Sequence, residues 1–96
     1  MSTVIDINED QFVNEVIEKS KTTPVIVDFW APWCEPCKTL TPALEDAVKG
    51  YGQELILAKI DIDQNQNIAS QLKIQSIPTI YNFFEGKVVD GFQGDK

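Results

Sequence analysis

The sequence contains no histidine. That absence removes Ser-His and Cys-His nucleophilic catalysis and every imidazole metal site, because each needs the imidazole as base or ligand. Arginine is missing too: all eight basic residues are lysines, set against 15 Asp plus Glu, for a formal net charge of -7. A chain this acidic repels nucleic-acid phosphates and anionic membrane surfaces, so neither is an expected partner. No apolar run approaches the roughly 18 residues of a bilayer span. The segment Met1-Ser2-Thr3-Val4-Ile5-Asp6 has neither the basic nor the apolar region of a secretory signal. Glycine and proline number five each, too few for a collagen-like or low-complexity chain. No glycine-rich phosphate loop occurs, and no bound cofactor is expected. Cysteine is scarce, at two residues. In a chain without export signals a close cysteine pair fits the reducing cytoplasm, where it is more often redox or metal chemistry than a staple.

What is present is an ordinary globular composition, 43% hydrophobic and 24% charged over 96 residues. That length suits one domain with a modest core. Val4-Ile5-Asp6-Ile7 reads as a short strand. Asn8 with Gln11 three residues on is close to a capping box, and Phe12, Val13, Val16 and Ile17 share one helical face, which predicts a helix over about residues 9–20. Val25 to Trp30 is almost continuously apolar, as in a central strand covered on both faces. A turn through Pro32 leads into a second helix over about 35–49, with Leu40, Ala43, Leu44, Ala47 and Val48 as its stripe and Pro42 as a kink. Gly50-Tyr51-Gly52 ends it. Leu55 to Ile62 is a third strand, a short helix follows near 65–72, and Thr79 to Phe84 is a fourth strand. Glu85-Gly86 turns it back into Lys87 to Phe92. The order βαβαβαββ implies an α/β fold, a mixed five-stranded sheet with helices on both faces.

The sharpest local feature is Trp33-Cys34-Glu35-Pro36-Cys37, where the buried strand meets the second helix. Cysteines at i and i+3 across a helix start have Cα atoms about 5 Å apart, within disulfide reach. Unpaired N–H groups and the positive end of the helix dipole favour a thiolate there. Pro36 suits the first turn, where its missing N–H matters least. Cys34, nearer solvent and the helix end, is the expected nucleophile, and Cys37, one turn inside, the resolving thiol. Structural thiols, a static disulfide, or half of a Zn or Fe–S site remain open from the motif alone. A metal needs about four ligands, and the chain has only these two thiols and no histidine; no metal is expected. Asp28, inside a run of Val, Ile, Phe and Trp, is either a desolvated carboxylate with a raised pKa or a strand-end residue reaching water. Lys59 interrupts the third strand; taken alone it is a solvated strand face.

Residues 27–38, Val-Asp-Phe-Trp-Ala-Pro-Trp-Cys-Glu-Pro-Cys-Lys, closely resemble the active-site run of thioredoxins, and the similarity continues through Ala58-Lys59-Ile60-Asp61-Ile62-Asp63 and Ile77-Pro78-Thr79. The resemblance covers nearly the whole chain. It implies the thioredoxin fold and a protein thiol–disulfide oxidoreductase that reduces protein disulfides and is itself recharged by a thioredoxin-reductase-like donor. By the same resemblance Asp28 lies buried beneath the cysteines and takes the Cys37 proton, through a water, when the mixed disulfide is resolved. Lys59 lies near it and tunes its charge. The resemblance also implies that the Ile77-Pro78 bond is cis, opposite Cys34, and presents the Ile77 backbone to an extended substrate. Trp33, Glu35, Pro36 and Gly94 complete the shallow groove, while Trp30 belongs to the core.

Two departures from the family pattern stand out. Glu35 occupies a position where thioredoxins usually carry Gly, and a carboxylate beside Cys34 is expected to raise its pKa slightly and to alter substrate choice. The chain also ends at Gly94-Asp95-Lys96, where thioredoxins add a closing helix. The expectation is a single thioredoxin-like domain, residues 1–96, without its C-terminal helix and with apolar side chains bared on one sheet face. The ending resembles thioredoxin domains that head tetratricopeptide chains and assist chaperones. The alternative function is therefore a co-chaperone binding module in which redox activity is secondary.

Overall fold

A computed structural model describes residues 2–51 and 54–93. Its strands are β1 (Ser2–Asp6), β2 (Val25–Trp30), β3 (Leu55–Asp61), β4 (Thr79–Phe84) and β5 (Lys87–Gln93). They form one sheet in the order β1-β3-β2-β4-β5. β1 and β2 run parallel to β3, while β4 is antiparallel to β2 and β5 to β4. This is the mixed sheet expected from the element order. Parallel neighbours need crossovers, which the helical segments supply. The closing antiparallel pair needs only the Glu85-Gly86 turn, where both residues take positive φ, 56° and 83°, as a tight two-residue hairpin demands.

Helix α1 spans Glu35–Lys49, with Pro42 inside it and Gly50 as its C-cap. Helix α2 spans Gln66–Gln71. The predicted helix over 9–20 is a helical segment of uneven winding: a 3-10 turn at Glu9–Gln11, a π-helical stretch at Val13–Glu18 and a second 3-10 turn at Lys19–Lys21. Its start is capped as expected, with the Asn8 N–H donating to the Gln11 side chain at 2.9 Å. The winding changes which residues face inward. Phe12, Val16 and Ser20, spaced by four, are buried, whereas Val13, expected on the apolar face, is 59% exposed. Ser20 is tied down by tertiary bonds: its hydroxyl accepts from the Gly86 N–H, and its carbonyl from the Glu85 N–H. The segment is thus pinned to the β4–β5 turn, a contact that helical periodicity does not encode.

The core lies on both sides of the sheet. Ile7, Phe12, Val16, Val25, Val27, Phe29 and Phe83 pack on the face covered by the first helical segment and α2. Phe12 meets Phe83 edge-on, with ring centroids 5.6 Å apart. Val48, Leu55 and Leu57, joined by Val4, Ile26 and Leu44, pack on the α1 face. Ala43 and Ala47, expected in the α1 stripe, are exposed, so the buried face of that helix is narrower than its sequence suggests. β5 is exposed along its whole length, and its Val88, Val89 and Phe92, with Phe84 at the end of β4, present apolar surface.

Strand alternation decides which face carries chemistry. Ile26 points to the α1 side, so Asp28, two residues on, points there too, beneath the start of that helix. β2 ends at Trp30, and the turn through Ala31-Pro32-Trp33 places the start of α1 directly above the carboxyl end of a central strand, where open α/β sheets place their sites.

Candidate active site

Cys34 is the N-cap of α1, and its sulfur accepts a hydrogen bond from the Cys37 N–H at 3.2 Å. The sulfur therefore takes the place of the oxygen that usually satisfies a free helix N–H. Cys34 and Cys37 are joined as a disulfide, with Cα atoms 5.3 Å apart. Pro36 lies in the first turn, as its missing N–H favours.

The two thiol positions do not differ in exposure as expected; each residue is 2% exposed. They differ in what they face. Cys34 opens on a groove of about 320 Å³ lined also by Trp33, Glu35, Pro36, Ile62, Ile74 and Ile77. Cys37 faces a cavity of about 330 Å³ on the α1 side, whose walls include Trp30, Thr41 and Lys59. The sulfur bordering the groove and the sulfur bordering the α1-side cavity thus belong to residues one helical turn apart.

The residues expected to flank Cys34 are largely gathered there. The Ile77-Pro78 bond is cis, both residues are buried, and Ile77 lines the same groove as Cys34. Trp33 is 63% exposed. Its indole N–H donates to both carboxylate oxygens of Asp63, at 3.0 and 3.2 Å. Asp63 was not singled out from the sequence: the two residues are thirty positions apart, and nothing local marks them as partners. Glu35 sits at the groove edge, but Lys38 pairs with it at 2.9 Å, both side chains being well exposed. That neighbouring cation offsets part of the negative charge beside Cys34. Gly94 lies outside the described residues, as does Gly52.

Asp28 is fully buried, which settles its two open readings in favour of a desolvated carboxyl. Burial raises its pKa above the ordinary carboxylate range; the Thr41 hydrogen bond and the charge of Lys59 pull it back, and Glu45 pushes it up. Thr41 donates its hydroxyl to Asp28 Oδ2 at 2.7 Å. Among the described residues Asp28 Oδ1 has no hydrogen-bond partner, and neither has the Trp30 indole nitrogen. Thr41 was also missed, although it stands four residues after Cys37 and so on the same side of α1.

Lys59 stands opposite Asp28 in the β2–β3 register, and its charge lowers the Asp28 pKa. Its side chain is largely covered rather than a solvated strand face, and its direct partners are other carboxylates. Its ammonium lies 2.7 Å from Glu45 and 3.8 Å from Asp6. The Glu45 hydrogen bond is the main reason its pKa is raised. Any influence on Asp28 acts across space and in competition with Glu45. The reason is geometric: Glu45 is one turn beyond Thr41 on α1 and reaches over β3.

Comparison with known proteins agrees with this arrangement. The family model for thioredoxin matches residues 3–96. Thioredoxin 1 of Synechococcus elongatus is 39% identical over 94 residues, covering 98% of this chain and 86% of its own. Thioredoxin of Chlorobaculum thiosulfatiphilum is 43% identical over 86 residues, 90% of this chain and 78% of its own. Thioredoxin of Mycobacterium bovis is 38% identical over 95 residues, 99% and 80% respectively. With a dithiol pair capping a helix at the end of a central strand, this chain belongs to the thioredoxin family and is a protein thiol–disulfide oxidoreductase.

Proposed function

We propose that this protein runs as a reductase of protein disulfides, with Cys34 as the attacking thiolate and Cys37 as the resolving thiol. The observation that carries this division of labour is the Cys37 N–H donated to the Cys34 sulfur at the mouth of an apolar groove. A backbone N–H aimed at sulfur stabilises the anion over the thiol, and only Cys34 has both that donor and the groove.

The Cys34 thiolate attacks one sulfur of a substrate disulfide; a Cys34–substrate bond forms, the substrate S–S bond breaks, and one substrate thiolate leaves. Cys37 then passes its proton to Asp28, and its sulfur attacks Cys34. The mixed disulfide breaks, the second substrate thiolate leaves and is protonated, and the Cys34–Cys37 disulfide is left behind. Two electrons have moved from the dithiol to the substrate. A thioredoxin-reductase-like donor returns them. Trp33, Glu35, Pro36, Ile77 and Pro78 hold the substrate segment as an extended chain, with apolar walls for its side chains and the Ile77 backbone for its hydrogen bonds. Lys59 tempers the charge of Asp28 from a distance.

The reading places this chemistry in the reducing cytoplasm. Its support is the close cysteine pair, which in that compartment is more often redox or metal chemistry than a staple.

The test combines alkylation and turnover. Iodoacetamide applied to the reduced protein near neutrality is expected to label Cys34 well before Cys37. Insulin reduction driven by dithiothreitol is expected to vanish in Cys34→Ser. Equal labelling of the two thiols would refute the assignment of the nucleophile. No turnover by the intact chain, with client or chaperone binding retained, would favour the co-chaperone docking module instead.

A further inference from the structure

Asp28 has two oxygens with different surroundings. Oδ2 accepts from the Thr41 hydroxyl at 2.7 Å, while Oδ1 is buried and has no partner among the described residues. Thr41 and Cys37 are four residues apart on α1 and share the wall of one cavity. A helical threonine is restricted at χ1 and would otherwise return its hydroxyl to a carbonyl of the preceding turn. Here the hydroxyl is spent on the carboxyl of a different element, thirteen residues away in sequence.

The other charges around Asp28 do not do this work. Lys59 faces it from β3 but is held by Glu45 of α1 and Asp6 of β1. Lys38, at the cavity edge, pairs with Glu35. From β4 the residue opposite is Ile80, which is apolar. A neutral hydroxyl is thus the one direct hydrogen-bond donor to Asp28 among the described residues.

We propose that Thr41 is a positioning residue for the resolving step: its hydroxyl fixes one oxygen of Asp28 and leaves the other free to accept the Cys37 proton. The inference rests on the proposed role of Asp28. The bond also favours the carboxylate over the acid. Removing the donor therefore shifts ionisation of the Asp28–Cys37 pair to higher pH, the two groups titrating as a coupled unit.

The experiment follows both thiol steps with dithiobis(nitrobenzoate) in stopped flow. Attack by Cys34 releases one coloured thiolate, and attack by Cys37 releases the second. In Thr41→Val the acid limb of the second phase is expected to move to higher pH, with about a tenfold loss of rate on the acid side, the scale of one charge-assisted hydrogen bond. Thr41→Ser is expected to return the limb to its original position. Glu45→Gln, which releases Lys59 toward Asp28, is expected to move it the other way. In an Asp28→Asn background Thr41→Val is expected to move nothing further. If Thr41→Val lowers the melting temperature but leaves the limb in place, while Asp28→Asn removes it, Thr41 is merely structural and the inference is wrong although the role of Asp28 survives. If Asp28→Asn itself leaves the limb unchanged, the role of Asp28 fails and the inference goes with it.

Discussion

Replacing Asp28 by Asn is expected to stabilise the disulfide form, by an amount that grows with pH. Asn keeps the shape and can still accept from Thr41, but it carries no charge to desolvate. The folded protein raises the Asp28 pKa, chiefly by burial, so the native state holds a proton that the unfolded chain has already released. Below the ordinary carboxylate range Asp28 is protonated in both states and contributes no pH dependence. Between that range and its raised native value, the native state binds one more proton, and stability falls as pH rises by about 1.4 kcal/mol per pH unit. Above the native value the loss is complete and constant. For a domain of 96 residues, an unfolding entropy of about 0.2 kcal/mol/K converts that slope into about 7 °C per pH unit. The measurement is a set of calorimetric melts of both proteins across acid to neutral pH. Taking the difference between the two proteins cancels every other carboxylate. Coinciding trends, or an Asn variant that melts lower at neutral pH, would show that burial does not govern this group.

Two further outcomes follow from particular contacts. A Cβ at Gly91 would lie 2.6 Å from Tyr81 Cδ1 and 2.8 Å from the Ile80 carbonyl oxygen; the backbone oxygen cannot swing aside, so Gly91→Ala is expected to cost about 1–3 kcal/mol. A lowered urea midpoint at unchanged slope checks it, and an unchanged midpoint would mean that the edge strand yields freely. Asp63→Ala removes the acceptor of the Trp33 indole N–H on an exposed surface, so stability is expected to stay within about 0.5 kcal/mol. Trp33 fluorescence anisotropy is expected to fall and KM for a protein disulfide to rise; unaltered anisotropy would show that packing alone holds the ring.

Much of this molecule is legible residue by residue. The bounds of β2, α1 and β4 follow from short-range features: a β-branched and aromatic run, a proline in the first turn, a glycine after the last, a turn before the strand. The cysteine pair at the start of α1 is legible for the same reason, since its spacing, donor and dipole all lie within one turn. The burial of Asp28 could be suspected from its apolar neighbours in the chain.

What lay beyond reach is set by pairs far apart in sequence. The end of the first helical segment is held by the β4–β5 turn, which bonds Ser20 across 65 and 66 positions. Lys59 donates to Glu45, fourteen positions away in sequence, because α1 lays that carboxylate over β3. Thr41 meets Asp28, and Trp33 meets Asp63, only once α1 is laid over the sheet. Local energetics, acting over three or four residues, determine which segments are strands and helices and where a reactive sulfur can sit. Which oxygen, ammonium or hydroxyl ends up beside it depends on how those segments pack, and that is a property of the tertiary structure alone.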